Sequence, residues 1–600
     1  MKKLFTTLLA SAIVTISFGQ VFTKVASPGL IDMNWSTGAS ADINSDGKMD
    51  VIIVGHEWTS GSEGQRSVVV GIGNGDGTFT PQDQTMANGI PGFSRSVIVD
   101  VADFDNDGDV DFVAGGNANG NLAGYDRTTR LFLNDGTGQF SLAAGFPGTT
   151  FDQKVSSVKA LDYNNDGLMD VVVLCWGGND EVESYLVKNT GNGNFEIVPE
   201  FSSNSGFWDA LAQPGDFDND GDIDIIAMGW MERANDTDVL FKNNKGTFTQ
   251  NNYIGIAGIN NTAPPGGGDK TGYIADINGD GNLDFLLNSA IPFGTDHTAW
   301  SIGNGDGTFT IQALDLFATN HLSHIAVGDL NQDGKIDFGK SSNLGFYTGK
   351  GDGTFAEDFS MSGDVINHQF GFLVGDFNND KALDLVGLGV ANENSPGLTS
   401  IYLNSGVTVN KAPSAPANLK QTINGTSITL SWDDSTDDST PVASLSYNVY
   451  LAPKAGGNYL LSPLADTTTG MRKITAIGNA QFRNSITIGG INASSEYIWG
   501  VQAIDNSFAG SSFANFGIPS GISSTKSISF SAFPNPANHT VRMFGISNAS
   551  SIELINLNGK VVKSFNVESA ELNISDVNSG VYFIKVITVQ GVGIQKLVIQ

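Results

Sequence analysis

Short apolar runs recur along the chain, each directly behind an aspartate. They read VIIVG (Val51–Gly55), FVAGG (Phe112–Gly116), VVVLC (Val171–Cys175) and IIAMG (Ile225–Gly229). Runs this short and this rich in β-branched residues predict buried strands. A nine-residue polar stretch stands before each run, and within it the second and eighth positions are apolar, as at Phe104 and Val110. Those two side chains are expected to point into a core while the rest of the stretch turns. Past about residue 410 the pattern shifts to short alternating segments: SITLSW ending at Trp432, LSYNVYLAP from Leu445 and SEYIWGVQAID from Ser495. Alternation of that kind predicts β-sandwiches. The fold class expected is all-β.

The polar stretch has seven versions, starting at Asp42, Asp103, Asp162, Asp216, Asp276, Asp329 and Asp376, at intervals of 61, 59, 54, 60, 53 and 47 residues. Such a period signals a repeat architecture. Oxygen-bearing side chains occupy positions 1, 3, 5 and 9, and glycine fills position 6 in six of the seven. Hard oxygen donors at alternate positions suit Ca²⁺, and the glycine permits the sharp turn. An EF-hand would place its last carboxylate at position 12 and flank the loop with helices. Here strands follow, so the loop is expected at the tip of a β-hairpin. A second element follows the first six loops: GNGDGTF at Gly73–Phe79, NDGTGQF at Asn134–Phe140, NTGNGNF at Asn189–Phe195, NNKGTF at Asn243–Phe248, GNGDGTF at Gly303–Phe309 and GKGDGTF at Gly349–Phe355. These predict hairpin turns between later strands. The seventh copy stops at IYLNSG, Ile401–Gly406. Each unit then supplies about four strands, and seven units can close a ring.

The formal net charge is −32, from 63 Asp plus Glu against 31 Lys plus Arg. That excludes nucleic acid and anionic membrane surfaces as natural partners, and seven divalent cations would offset close to half of it. Cys175 is the single cysteine, so no internal disulfide can form. The start, MKKLFTTLLASAIVTISFGQ, has a basic Lys2–Lys3 region, an apolar stretch from Leu4 to Phe18 and small residues up to Gly19. It reads as a secretory signal peptide over residues 1–19. No other segment is long and apolar enough to be a transmembrane segment. Export without disulfides leaves metal ions as the expected staples.

The seven loops with their in-phase hairpins resemble the FG-GAP (VCBS-type) repeat, the calcium-binding β-propeller unit of integrin alpha chains and many bacterial exoproteins. The resemblance spans residues 20–410 and implies a seven-bladed β-propeller with structural Ca²⁺. Carried over, the side-chain ligands are Asp42, Asn44, Asp46 and Asp50; Asp103, Asp105, Asp107 and Asp111; Asp162, Asn164, Asp166 and Asp170; Asp216, Asp218, Asp220 and Asp224; Asp276, Asn278, Asp280 and Asp284; Asp329, Asn331, Asp333 and Asp337; and Asp376, Asn378, Asp380 and Asp384. The last loop departs, with Lys381 at the glycine position. A positive φ there strains a non-glycine residue.

KAPSAPANL, Lys411–Leu419, reads as a linker. Residues 411–523, with Trp432, Tyr447, Tyr450 and a corner tyrosine at Tyr497, resemble a fibronectin type III domain. Residues 524–600 resemble the type A C-terminal sorting domain of the Bacteroidetes type IX secretion system, through Pro534-Asn535-Pro536, Asn558-Gly559-Lys560 and Gly580-Val581-Tyr582-Phe583. That likeness implies the type IX machinery as a partner and a secreted or outer-membrane-surface location.

If the metal loops lie on one face, the opposite face collects Trp35, His56, Trp58, Trp176, Trp208, Trp230, His324 and His368, with Arg95, Lys154, Lys270, Tyr273, His297 and His321 nearby. Flat aromatic faces with polar neighbours suit sugar rings. Two classes of function follow: a secreted binding or adhesion protein for an extracellular glycan or protein ligand, or a propeller-type polysaccharide lyase using a His or Tyr base. No nucleophile elbow, P-loop, zinc motif or cofactor fingerprint is present, which favours binding.

Overall fold

The computed structural model is all-β. It describes residues 21–600 except 60–61, 86–92, 94–97, 118–126, 148–153, 177–183, 199–206, 232–237, 253, 255, 257–269, 292–294, 314–323, 341–344, 361–367, 391–396, 406–408, 517–529, 545–548, 557–560, 566–570 and 589–590. Residues 1–19, expected to be a signal peptide, lie outside the described residues, as do Arg95, His321 and Asn558-Gly559-Lys560. Two compact units divide the chain, Met1–Gly517 and Ile518–Gln600.

The first unit holds seven four-stranded antiparallel sheets and two three-stranded ones. In the first sheet Met33–Ala41, Asp50–Thr59, Ser62–Gly73 and Phe79–Asp83 pair in chain order. Five further sheets repeat that order. The seventh has three strands of its own, His368–Gly375, Asp384–Val390 and Gly397–Ser405. Its fourth is Val21–Lys24, with Val21 opposite Ser405 and Lys24 opposite Tyr402. The two ends of the region from Val21 to Ser405 therefore share one ladder.

The apolar runs are unbroken because both faces of each sheet are covered, and successive side chains of a strand alternate between faces. Val51, Ile53 and Val69 pack against Val386, Leu388 and Ile401 of the seventh sheet. Ile52, Val54, Val68 and Val70 pack against Phe112, Ala114 and Phe132 of the second. Shared cores of the same kind join the second sheet to the third, and so on to the seventh. Cys175 is buried in one of them, and burial pushes its thiol up to about 12, so it packs rather than reacts.

A sandwich follows. Ala417–Asn424, Ser427–Asp433 and Ser485–Ile488 form one sheet; Ser446–Pro453, Tyr497–Ile504 and Ala514–Phe516 form the other. Trp432, Tyr447, Val449 and Trp499 fill the space between. The Tyr497 hydroxyl donates to the Asn492 carbonyl at 3.0 Å and accepts from its N–H at 2.8 Å, the hydrogen bonding of a corner tyrosine. This module belongs to the same compact unit as the seven sheets. It caps a cavity of about 650 Å³ lined by the first strands of all seven sheets and by residues of 461–483 and 505–508.

The second unit packs a three-stranded sheet, Ser531–Phe533, Thr540–Phe544 and Glu571–Asn573, with a four-stranded one, Val561–Phe565, Ala549–Ile555, Gly580–Thr588 and Gly591–Ile599. Val541, Met543, Ile552, Leu554, Ile584, Val586 and Leu597 form its core. Among the described residues no helix is long and apolar enough to cross a membrane.

Candidate metal centre

Each aspartate stretch connects the first and second strands of its sheet. The residue ending the first strand pairs with the stretch's last aspartate: Ala41 with Asp50, Ala102 with Asp111, Gly215 with Asp224, Gly375 with Asp384. The apolar second position is buried in all seven loops, at Ile43, Phe104, Tyr163, Phe217, Ile277, Leu330 and Phe377. These side chains anchor the loop, as the sequence pattern requires.

The carboxylates then organise the turn. The first aspartate accepts the N–H of position 6 through Oδ2 in all seven loops, at 2.8–3.1 Å. The last aspartate accepts at least two backbone donors. Its Oδ2 takes the N–H of position 2 at 2.8–3.3 Å. Its Oδ1 takes an N–H from the end of the third strand at 2.7–2.8 Å. Position 9 therefore pins the loop to the sheet, a role its reading as a ligand alone did not contain. Carboxylate oxygens offer about four lone-pair sites, so these bonds leave room for a cation.

In four sheets the third-strand residue is an asparagine: Asn134, Asn189, Asn243 or Asn404. Its side-chain amide donates to the position 2 carbonyl of the preceding sheet's loop, at 2.6–2.8 Å. These asparagines open the second motif or its truncated copy and read in sequence as turn formers; they stitch neighbouring sheets. Position 4 is a second left-handed site, with φ between 56° and 60° at Ser45, Asn106, Asn165, Asn219, Gln332 and Asn379. Lys381 adopts φ 73°, the strain expected of it. Its N–H still reaches Asp376 Oδ2 at 2.9 Å, so the seventh loop keeps the shape of the others.

Donor oxygens converge. One oxygen each from Asp103, Asp105 and Asp111 lies within 4.8 Å of the others, and the same holds for Asp216, Asp218 and Asp224. Such a set can hold a hard divalent cation. Burial pushes the Asp50 carboxyl up to about 7 and those of Asp224, Asp284 and Asp384 up to about 8. Asp111, Asp170 and Asp337 are raised well above the ordinary carboxylate range for the same reason. Two buried carboxyls in one turn call for either protons or a cation. Side chains supply part of that charge at the fourth loop, where Lys242 pairs with Asp218 and Arg483 with Asp216.

The expected ligand-face residues are placed less uniformly. Trp208 and Trp230 are direct cross-strand partners in the fourth sheet. Trp176 ends its strand opposite Lys154 in the third. Trp35, Trp58, Lys270 and His368 lie within strands. His297 also lies in a strand, Thr295–Gly303. His56 is 1 % exposed, because its strand runs on to Thr59; its ring is not a surface group. His324 and Tyr273 line the internal cavity. Burial pushes His324 down to about 4 and Tyr273 up to about 12, which matches neither to proton transfer near neutral pH.

Among known families, the model described as "FG-GAP-like repeat" matches residues 42–114, 121–173, 173–227 and 276–339. The model described as "Secretion system C-terminal sorting domain" matches residues 531–600. No curated protein matches the chain. Among solved structures, the chicken CNTN1 FN1-FN3 domains align at 10% identity and TM-score 0.14, over 56% of this chain and 99% of that one; a likeness that low carries no argument. The chain carries FG-GAP-like repeats and ends in a type IX sorting domain, which marks it for secretion or attachment at the cell surface.

Proposed function

We propose that the seven sheets form a seven-bladed, calcium-stapled β-propeller and that the protein is an extracellular binding or adhesion protein. The ring reading is supported by the shared cores, which link each sheet to the next and the seventh to the first, and by Val21–Lys24 completing the last sheet. The calcium reading is supported by seven loops of one hydrogen-bonding geometry, each ending in a buried aspartate, and by the convergence of carboxylate oxygens in the second and fourth. The metal would supply positive charge to the loops; the chain's own residues hold their shape. Residues 411–523 are read as a fibronectin type III module on the strand pairing and corner tyrosine of their described part.

The observation that carries the binding reading is the cap. Residues of the second module line the cavity together with loop residues such as Asp103, Asp162 and Asp276, which supports placing an external glycan or protein at the other end of the sheets. Trp208 and Trp230 belong to that end, at the far side of their strands from the aspartate loop. The test is a binding screen of the secreted protein against glycan and protein arrays, alongside incubation with uronic-acid polysaccharides. Saturable binding without unsaturated products is expected. Release of unsaturated sugars would replace the binding reading with the lyase.

A further inference from the structure

The second module touches six of the seven aspartate loops, at their glycines. A Cβ at Gly47 would lie 3.2 Å from the Met471 sulfur, at Gly108 3.1 Å from the Tyr459 ring, and at Gly221 2.9 Å from the Arg483 guanidinium. At Gly167 and Gly334 it would collide with the Leu460 and Ser439 carbonyls, and at Gly281 it would crowd the Ala443 carbonyl. Position 6 therefore serves two ends, a left-handed turn and the close approach of another backbone. The seventh loop has Lys381 there, and that lysine is exposed. The exception in the repeat falls on a loop whose position 6 faces outward.

The module also binds the carboxylates. Ser444 Oγ donates to Asp276 Oδ2 at 2.7 Å, and Ser507 Oγ donates to Asp329 Oδ2 at 3.1 Å. Both serines and both aspartates are buried. Around Ser507 the grip is two-sided: the Asp329 N–H donates to the Asn506 carbonyl at 2.9 Å, and Asn506 Nδ2 donates to the Gly334 carbonyl at 2.9 Å. Asp505 holds this tip in shape by accepting from Asn410 Nδ2 at 2.7 Å and the Ala509 N–H at 2.8 Å. In each loop the hydroxyl takes the Oδ2 side of the first carboxylate. The other oxygen, Oδ1, faces the loop interior and accepts the N–H of position 5 at 3.0 Å in Asp276 and 2.9 Å in Asp329.

We infer that Ser444 and Ser507 are positioning residues for the fifth and sixth metal loops, so that metal loading of those loops and docking of the second module reinforce each other. The inference rests on the calcium reading above. A hydroxyl that fixes the rotation of a carboxylate lowers the cost of presenting its free oxygen to a cation. By linkage, the cation then holds the carboxylate where the serine needs it, and the coupling is equal in both directions. Loops whose first aspartate has no such partner, the seventh among them, should load independently of the module.

The test is hydrogen exchange of the full secreted chain across a Ca²⁺ titration, read on peptides covering 276–284, 329–337 and 376–384. In Ser444→Ala/Ser507→Ala, the Ca²⁺ midpoint for protection of the first two peptides should rise about tenfold, the loss expected of a hydrogen bond to a charged group. The midpoint at 376–384 should not move. Ser444→Thr/Ser507→Thr, which keeps both hydroxyls, should restore the wild-type midpoints. In the wild type, removing Ca²⁺ should also raise exchange at 442–446 and 505–511. Equal midpoints in wild type and alanine variant would overturn the coupling while leaving the calcium reading intact. Absence of Ca²⁺-dependent protection in every loop would remove both.

Discussion

Arg483 of the second module places its Nε 3.3 Å from Oδ2 of Asp216, the first residue of the fourth aspartate loop. Asp216 is 2% exposed at its side chain and Arg483 19%. Gln481, two residues earlier, accepts the Asp216 N–H through its side-chain oxygen at 3.0 Å. One short segment of the module thus holds both the backbone and the carboxylate of a repeat loop far away in sequence.

Removing one partner of a buried ion pair leaves the other charge unsatisfied, at about 3 kcal/mol. Arg483→Met should therefore lower the urea stability of the first unit by about that amount. Arg483→Met combined with Asp216→Asn should cost less than the two single changes added together, because neither uncompensated charge remains. Strict additivity would mean that the pair contributes nothing of its own.

The Val21–Lys24 strand pairs with Gly397–Ser405 over four residues, and Phe22 packs its ring 6.1 Å from that of Phe346. Deleting residues 21–25 should expose the edge of the seventh sheet and lower Tm by roughly 5 °C. A differential scanning calorimetry trace unchanged by the deletion would show that the ladder does not fasten the ends.

Buried loop aspartates give the calcium response a pH dependence with a definite sign. Asp50 and Asp224 have folded-state values of about 7 and about 8, above the ordinary value of about 3.9. Without metal, folding favours their protonated forms. Stability is then highest below the unfolded value and is lost as pH rises from about 4 to about 8. Calcium takes the deprotonated oxygens, so the gain in Tm on adding it should be larger at pH 8 than at pH 5 in otherwise calcium-free buffer. A gain that is equal at both, or greater at pH 5, would separate these carboxyls from the metal.

Much of this arrangement was legible because it is periodic. Seven aspartate stretches at near-constant spacing, each behind an apolar anchor such as Phe104 and ahead of a run such as VVVLC, specify a strand–loop–strand unit without any tertiary information. The seventh copy stops at IYLNSG, a strand short of the other six, and Val21–Lys24 supplies the missing strand. Three features were hidden for physical reasons. Asn134 looks like a turn residue because its sequence neighbours are Asp135 and Gly136; its amide hydrogen-bonds the loop of another sheet. The glycines at position 6 are explained by φ alone, so their second purpose, admitting Leu460 or Ser439, left no trace. His56 reads in sequence as a residue of the ligand face, whereas its strand continues past it to Thr59 and buries it.

Trp208 and Trp230 sit directly opposite one another on neighbouring strands, separated by a bulge from the regular pairing that begins with Leu211 opposite Met228. Bulges re-aim side chains and cluster beside functional sites. The loop end of the same sheet is occupied by the second module through Arg483 and Gln481, so a ligand competing there would have to displace a buried ion pair. Loss of an aromatic anchor costs about 1 to 2 kcal/mol. Trp208→Ala and Trp230→Ala should each weaken glycan binding by about five- to thirtyfold, with Trp176→Ala in the adjacent third sheet acting likewise, while all three keep the wild-type Tm. Substitutions at the seventh metal loop, such as Asp380→Ala, should leave the affinity unchanged. Isothermal titration against whichever glycan the array selects decides the matter: undiminished affinity in the triple tryptophan variant would mean that these rings serve packing between sheets and that the ligand binds elsewhere.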